Sequence, residues 1–199
     1  FIGTGVWKAN TLGIKGESFG HVHYAINYLN NPDCYKLGNK VAVIGVGNAA
    51  MDVARTAMRN GSHDVTCFSL SDQVAASKYE FSYAQLESVK FEYFRKPVEI
   101  VDEGIIFRGM EYDADGKLVE IPGSDELFAA DSIVISISQG PQNTITSTTT
   151  GLASTARGLL KADEQGHTSR PGIFASGDAV DGARTVVEAV AHSKVVAEA

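Results

Sequence analysis

The sequence predicts an α/β fold in which a parallel sheet, alternating with helices, carries an inserted antiparallel meander. A short apolar run at residues 40–44 leads through a glycine-rich turn into apolar residues at helical spacing, and a second apolar strand follows at residues 65–68. Between residues 89 and 121, strand-like segments alternate with turns. A further buried strand is predicted at residues 132–137.

The first half of the chain is predicted to contain one βαβ unit preceded by a connecting segment. Residues 21–29 of that segment are predicted to form a short helix. The βαβ unit spans about 30 residues, and its helix ends at Asn60-Gly61. A second helix is predicted at residues 76–88.

The second half is predicted to hold the meander and then a less regular region. Asp113 to Gly116 favour a hairpin turn. Residues 139–155 are rich in Ser, Thr and Gly, which predicts a loop, and a helix is predicted from near Thr185. The remaining strands are predicted at residues 89–94, 98–101, 105–112, 118–121 and 173–175.

Composition excludes several classes of function. The 199-residue chain has a formal net charge of −7, so it has no general attraction for nucleic acid or an anionic membrane. No apolar run approaches the roughly 20 residues that span a bilayer. Cys34 and Cys67 are too far apart for a redox pair or a metal framework. We therefore expect two unpaired thiols, no metal site and a cytoplasmic location.

The first candidate site is the run Gly45-x-Gly47-x-x-Ala50, between the predicted strand and helix. Gly45 permits the tight turn, Gly47 lets the backbone approach a pyrophosphate, and Ala50 allows close packing of helix on strand. The helix N-terminus would hold the anion. We predict a Rossmann-like dinucleotide site here, and the alternative is a glycine turn with a structural role only. Asp52, one turn into the helix, would interact favourably with the helix dipole, which is the interpretation we favour; the alternative is a contact with the cofactor or a neighbouring domain.

The second candidate site follows the next strand, at Ser69 to Asp72, where such folds read the adenosine ribose. Asp72 lies 22 residues past Ala50, and no arginine stands nearby. A carboxylate accepts a hydrogen bond from a ribose 2′-hydroxyl and repels a 2′-phosphate. We therefore predict NADH rather than NADPH as the preferred nucleotide. The alternative is that Ser71-Asp72 only forms a turn.

The third candidate site is Gly177-Asp178, followed by Arg184, Thr185 and Val186 at the start of the last helix. A carboxylate at a strand end, a glycine-rich turn and a helix N-terminus together suit the ribityl chain and pyrimidine edge of a flavin. A Gly-Asp turn before a helix is also common for structural reasons, so the residues alone leave this site open.

The chain resembles the small-subunit family of bacterial glutamate synthase, within the pyridine nucleotide–disulfide oxidoreductase superfamily. The resemblance covers nearly the whole chain. The matching segments are Gly3 to Gly5, Val43 to Arg55, Ser77 to Glu80, Pro97 to Ile100, Ile137 to Pro141 and Thr168 to Asp178.

The resemblance implies a nicotinamide half inserted into an FAD half. Gly45 to Asp52, including Asn48 and Ala49, would then hold the nicotinamide nucleotide, and Ser138-Gln139 would approach it. Gly177, Asp178, Arg184, Thr185 and Val186 would face the flavin. Hydride would pass from the nicotinamide to FAD, and electrons would continue to iron–sulfur centres or a partner subunit.

The chain departs from the family pattern at two places. Leu70-Ser71 stand where the family often has two arginines, which favours NADH. Ser138 stands where the family usually has Gly.

The resemblance also suggests how the chain divides and what it lacks. We expect residues 1–35 to be a connecting segment from the FAD-binding domain, residues 36–145 to bind NAD(P), and residues 146–199 to complete the FAD-binding domain. The FAD fingerprint is absent and would lie upstream of Phe1, so we expect a piece of a longer protein that is inactive alone. A non-catalytic dinucleotide-sensing module is the alternative, whereas a disulfide reductase would need a CxxC pair.

Overall fold

The computed structural model describes residues 1–198, which contain eleven strands and six α-helices. The strands are β1 (Lys8–Ala9), β2 (Val22–Tyr24), β3 (Lys40–Ile44), β4 (Asp64–Phe68), β5 (Lys90–Glu92), β6 (Arg95–Val101), β7 (Gly104–Tyr112), β8 (Leu118–Glu120), β9 (Glu126–Ala129), β10 (Ser132–Ile135) and β11 (Gln139–Gly140). The helices are α1 (Ala25–Asn30), α2 (Asn48–Arg59), α3 (Lys78–Leu86), α4 (Thr144–Thr148), α5 (Asp178–Asp181) and α6 (Val186–Glu198).

These elements fall into two compact units, and each is described by itself. The larger unit is Thr11–Ile137, and the smaller unit is Phe1–Asn10 with the described residues from Ser138 onward. The domain boundaries predicted from the sequence lie elsewhere, after residues 35 and 145. The cofactor that each predicted segment binds stays a prediction.

A five-stranded parallel sheet organises the larger unit, with the order β2-β10-β3-β4-β5. Its central strands are apolar on both faces, as expected for a parallel sheet covered on both sides. Val41 and Val43 pack with helix α2, whereas Ala42 and Ile44 point to the opposite face. The predicted Rossmann-like parallel sheet is confirmed.

The inserted meander covers that opposite face. β6 pairs with β7, and β7 also pairs with β8 and β9, all antiparallel. Phe107 of β7 stacks on Phe68 of β4 with ring centroids 4.2 Å apart. The predicted meander is therefore confirmed, and burial of its aromatic face attaches it to the sheet. Strand β9 was missed, because Glu126 and Leu127 are both exposed and show no alternating pattern.

Three predictions of local structure were wrong at least in part. The loop predicted at residues 139–155 contains β11 and α4. Residues 21–29 do not form one helix, because Val22–Tyr24 pair in parallel with β10 and the helix begins only at Ala25. The edge of β10 offers backbone hydrogen-bonding groups, and pairing satisfies them. Residues 173–175 form no continuous strand. Phe174 and Ala175 make isolated bridges, to His167 and Ile2 respectively.

Candidate dinucleotide-binding site

The turn between β3 and α2 requires a glycine at its first position. Gly45 has a φ of +129°, which L side chains rarely adopt. A Cβ added there would lie 2.3 Å from the carbonyl oxygen of Ser136, which directly follows the neighbouring strand β10. The Gly45 N–H donates to the Phe68 carbonyl at 2.9 Å, which holds the turn against β4. The close approach of β10, β3 and β4 at this end of the sheet thus excludes a side chain at position 45.

Gly47 has a different role, because its backbone conformation is ordinary. It is the N-cap of α2, with φ −86° and ψ 177°. A Cβ built on Gly47 meets no atom of the described residues within 4 Å. The glycine therefore leaves open space at the helix N-terminus rather than relieving strain. That space is where the backbone could approach a pyrophosphate.

The first turn of α2 faces that space with unpaired donors. The N–H groups of Ala50 and Met51 donate to the Gly47 carbonyl, and the N–H groups that precede them have no partner within the helix. Ala50 is fully buried, so the helix packs closely on the sheet. Asn48 accepts a hydrogen bond from the Ser77 N–H at 2.8 Å through Oδ1. These features fit an anionic dinucleotide bridge at the start of a twelve-residue helix.

Asp52 lies one turn along α2, close to an ion-pair network between α2 and α3. Arg55 pairs with Glu80 at 2.9 Å and with Glu87 at 3.1 Å. Loss of water around Asp52 raises the pKa of its carboxyl, Glu80 raises it further, and Arg55 opposes the rise. The structure shows the charged environment of Asp52, and the roles predicted for this residue stay predictions.

The ribose loop, defined here as residues 69–77, is held at both ends. The Ser69 N–H donates to the Glu92 carbonyl at 2.9 Å, and Ser69 is largely buried. At the other end, the Ala76 N–H donates to the Val46 carbonyl at 2.9 Å. Asp72 stands between these anchors, and its Oδ1 accepts a hydrogen bond from the Tyr112 hydroxyl. The loop thus connects the Gly45–Ala50 turn with the predicted ribose carboxylate in one unit.

The smaller unit brings the predicted flavin-facing residues together. Gly177 is the N-cap of α5 with a φ of +66°, and Asp178 begins that helix. Asp178 accepts a hydrogen bond from the Arg184 N–H at 3.3 Å. Thr185 and Glu188 form a reciprocal capping box at the start of α6. Val186 follows and is 78% exposed.

Ser138 and Gln139 also belong to the smaller unit. Gln139–Gly140 form the short strand β11, which pairs with β1, and the Asn10 N–H donates to the Ser138 carbonyl. Ser138 has a φ of +71°, in the left-handed region that favours glycine. The position where the resembling family usually has Gly therefore keeps a glycine-like backbone in this chain.

We predict that Ser138→Gly raises the free energy of unfolding by about 1 kcal/mol. A left-handed non-glycine residue costs roughly 1–2 kcal/mol, which the substitution removes. Glycine offsets part of this gain because it increases the entropy of the unfolded chain. Urea unfolding checks this value. Ser154→Gly, in the same unit, is the control for the entropy that glycine adds to the unfolded chain. A Ser138→Gly variant that is less stable than the wild type would contradict the strain at this position.

Two residues near the site were missed by sequence reasoning. The Ser136 hydroxyl is buried beside Gly45 and has no hydrogen-bond partner among residues 1–198. Tyr112 contacts the ribose loop from a strand 40 residues further along the chain. Neither has a local sequence signal, because both positions follow from pairing between distant segments.

The other candidate chemistries have little structural support in the described part of the chain. Within residues 1–198, no group of three His, Cys, Asp or Glu side chains is placed to hold a metal ion. Cys34 and Cys67 are both free, and burial raises the pKa of the Cys67 thiol to about 12. No described helix is long and apolar enough to cross a bilayer.

Comparison with known proteins places this geometry in a family. The model of the pyridine nucleotide-disulphide oxidoreductase family matches residues 1–193. This chain belongs to that family. A glutamate synthase [NADPH] small chain from Halomonas elongata is 33% identical over all of this chain and 48% of its own length. The beta subunit of an NADP(+)-dependent formate dehydrogenase from Moorella thermoacetica is 33% identical over 96% of this chain and 30% of its own length.

Solved structures share the fold of this family member. A thioredoxin reductase from T. acidophilum superimposes with a TM-score of 0.77 at 22% identity, over 99% of this chain and 62% of that one. A Lactococcus lactis thioredoxin reductase gives a TM-score of 0.74 at 24% identity, over 100% and 66%. The chain spans about half or less of the length of the two curated relatives above. The predicted family resemblance is confirmed.

Proposed function

We propose that this chain is the nicotinamide-nucleotide-binding part of a flavoprotein oxidoreductase, which passes hydride from NAD(P)H to FAD and electrons onward to iron–sulfur centres or a partner subunit. The observation that carries the proposal is the Gly45–Ala50 turn, which ends a buried parallel strand and opens α2 with free space beside Gly47. The hydride chemistry would be supplied by the cofactors, and the protein would bind and orient them.

The relatives support the wider scheme. Membership of the family supports the use of a pyridine nucleotide. Two relatives are named as a small chain and a beta subunit, which supports a partner subunit here. We place the protein in the cytoplasm and expect the 199-residue chain alone to lack turnover, because the predicted FAD fingerprint is not in it.

We assign two groups of cofactor-binding residues. The flavin-facing group comprises Gly177, Asp178, Arg184, Thr185 and Val186. The nicotinamide-nucleotide group comprises Gly45, Gly47, Asn48, Ala49, Ala50, Asp52, Ser69, Asp72, Ser138 and Gln139.

We further propose that the preferred nucleotide is NADH, although the Halomonas relative carries NADPH in its name. Asp72 is an exposed carboxylate in the ribose loop, and residues 69–72 contain no cation. Calorimetric titration should show tighter binding of NADH than of NADPH. Asp72→Ala should reduce this preference by about tenfold, because it removes both an acceptor for the 2′-hydroxyl and the repulsion of a 2′-phosphate.

Asp115→Ala, in the exposed turn between β7 and β8, is the matched control and should leave both affinities unchanged. Tighter binding of NADPH by the wild type would contradict the assignment of Asp72. Failure of the wild type to bind either nucleotide would contradict the proposed function as a whole.

The flavin part of the proposal has its own test. The complete natural protein should purify with flavin absorbance in the visible range, and addition of NADH without oxygen should bleach it. Asp178→Ala should lower the flavin content, whereas Asp163→Ala, an exposed position in the same unit, should not. A colourless, flavin-free complete protein would contradict this part.

A further inference from the structure

The inserted meander reaches the ribose loop through one side chain. Tyr112, the last residue of β7, donates from its hydroxyl to Asp72 Oδ1 at 3.1 Å. Asp72, which accepts this hydrogen bond, raises the pKa of the Tyr112 hydroxyl. A tyrosine hydroxyl is protonated at neutral pH in any case, so it is available as a donor. This contact joins two segments that are 40 residues apart.

The Tyr112 ring is held from a second direction. Phe94 packs against it edge-on, with ring centroids 5.6 Å apart and planes at 89°. Phe94 itself has a φ of +59°, and its carbonyl accepts a hydrogen bond from the Met110 N–H at 2.9 Å. Phe94 is therefore kept in a strained backbone conformation by pairing with β7. That conformation places its ring against Tyr112.

The ribose loop lacks an equivalent constraint on the Asp72 side chain. Its backbone is anchored at Ser69 and at Ala76, on either side of Asp72. Local hydrogen bonds involve the Ser69 and Ser71 hydroxyls and reach Ser71 and Gln73 rather than the Asp72 carboxylate. Within the described part of the larger unit, the Tyr112 hydroxyl is the hydrogen-bond partner of this exposed carboxylate.

We propose that Tyr112 is a positioning residue that holds Asp72 ready for a nucleotide with a free 2′-hydroxyl, so that the inserted meander contributes to the choice between NADH and NADPH. The proposal rests on the proposed function, which assigns Asp72 to the ribose. A carboxylate has two oxygens that each accept hydrogen bonds. Tyr112 occupies Oδ1 and leaves Oδ2 to accept from the ribose. Orienting the acceptor beforehand lowers the entropy lost on binding.

Tyr112→Phe tests this directly, because it removes the donor and keeps the ring that packs on Phe94. The dissociation constant for NADH should rise about three- to tenfold, the usual range for one hydrogen bond. The constant for NADPH should change by less than about twofold, because Asp72 does not accept from a 2′-phosphate. Isothermal titration with each nucleotide measures both constants. Tyr79→Phe on α3, where Tyr79 is 79% exposed, is the matched control.

A double-mutant cycle separates positioning from a general loosening of the fold. In an Asp72→Ala background, Tyr112→Phe should no longer change the NADH affinity, because its effect passes through the carboxylate. An equal loss of NADH affinity in both backgrounds would overturn the proposal, as would equal losses for NADH and NADPH.

The outcomes also separate this proposal from the proposed function. A wild type that binds NADH more tightly than NADPH, together with an unchanged preference in Tyr112→Phe, overturns the role of Tyr112 alone. A wild type that binds neither nucleotide overturns the proposed function and this inference with it. Thermal unfolding of each variant, with a midpoint close to that of the wild type, shows that the comparison is made between folded proteins.

Discussion

Gly45→Ala is expected to lower the free energy of unfolding by about 3 kcal/mol or more, from backbone strain and overpacking together. The φ of +129° is unfavourable for alanine, and the new Cβ would lie 2.3 Å from the Ser136 carbonyl oxygen. That oxygen belongs to the backbone beside β3, so it cannot rotate away as a side chain could. Relief of the clash would require separation of β3 from the end of β10. Urea unfolding followed by circular dichroism measures the loss.

Gly20→Ala is the matched control for this prediction. Gly20 also lies in the larger unit, has no positive φ, and has no atom within 4 Å of an added Cβ among the described residues. Its unfolding curve should stay close to that of the wild type. A Gly45→Ala protein as stable as the Gly20→Ala control would show that the strand-to-helix turn tolerates a side chain.

Gly47→Ala is expected to separate binding from stability. The added methyl group projects into open space and φ is −86°, so the fold should lose only about 1 kcal/mol or less from the weaker N-cap. The same methyl group would occupy the space through which a pyrophosphate approaches the backbone. We therefore expect the affinity for NADH to fall at least about tenfold, or about 1.4 kcal/mol. Calorimetry and urea unfolding of one preparation measure both quantities.

Gly61→Ala supplies a contrasting control at the other end of α2. Its φ of +101° is strained for alanine, and no atom of the described residues lies within 4 Å of the added Cβ. This variant should lose stability and keep its affinity for NADH, the reverse of Gly47→Ala. Unchanged NADH affinity in a folded Gly47→Ala protein would contradict a dinucleotide site at the start of α2.

Much of the larger unit could be predicted from the sequence because its signals are local. The apolar strand Lys40–Ile44, the turn from Gly45 and the helix Asn48–Arg59 are adjacent in the chain. The glycine at the first turn position is visible in this local pattern, although the close contact that demands it is with the distant Ser136. The hairpin turn at Asp113 to Gly116 likewise carries its own signal.

Non-local pairing explains what was not predicted. Val22–Tyr24 form a strand because the edge of β10, more than 100 residues later, is available to pair with them. Val22 and Tyr24 are residue types that favour strands, and the predicted helix was wrongly extended over them. β9 was missed for a related reason, since its pairing with β7 leaves Glu126 and Leu127 exposed.

The sequence by itself determined the parallel sheet, the meander and the family, together with the glycine-rich turn and the carboxylate that follows β4. Local spacing and residue type are sufficient for the sheet, the meander, the turn and the carboxylate, whereas the family follows from the resemblance of whole segments. Only the tertiary structure decided that Gly45 faces the Ser136 carbonyl and that Gly47 faces open space. It also decided that Tyr112 contacts Asp72. These relations depend on which distant segments become neighbours when the sheet forms, and chain spacing carries no information about them.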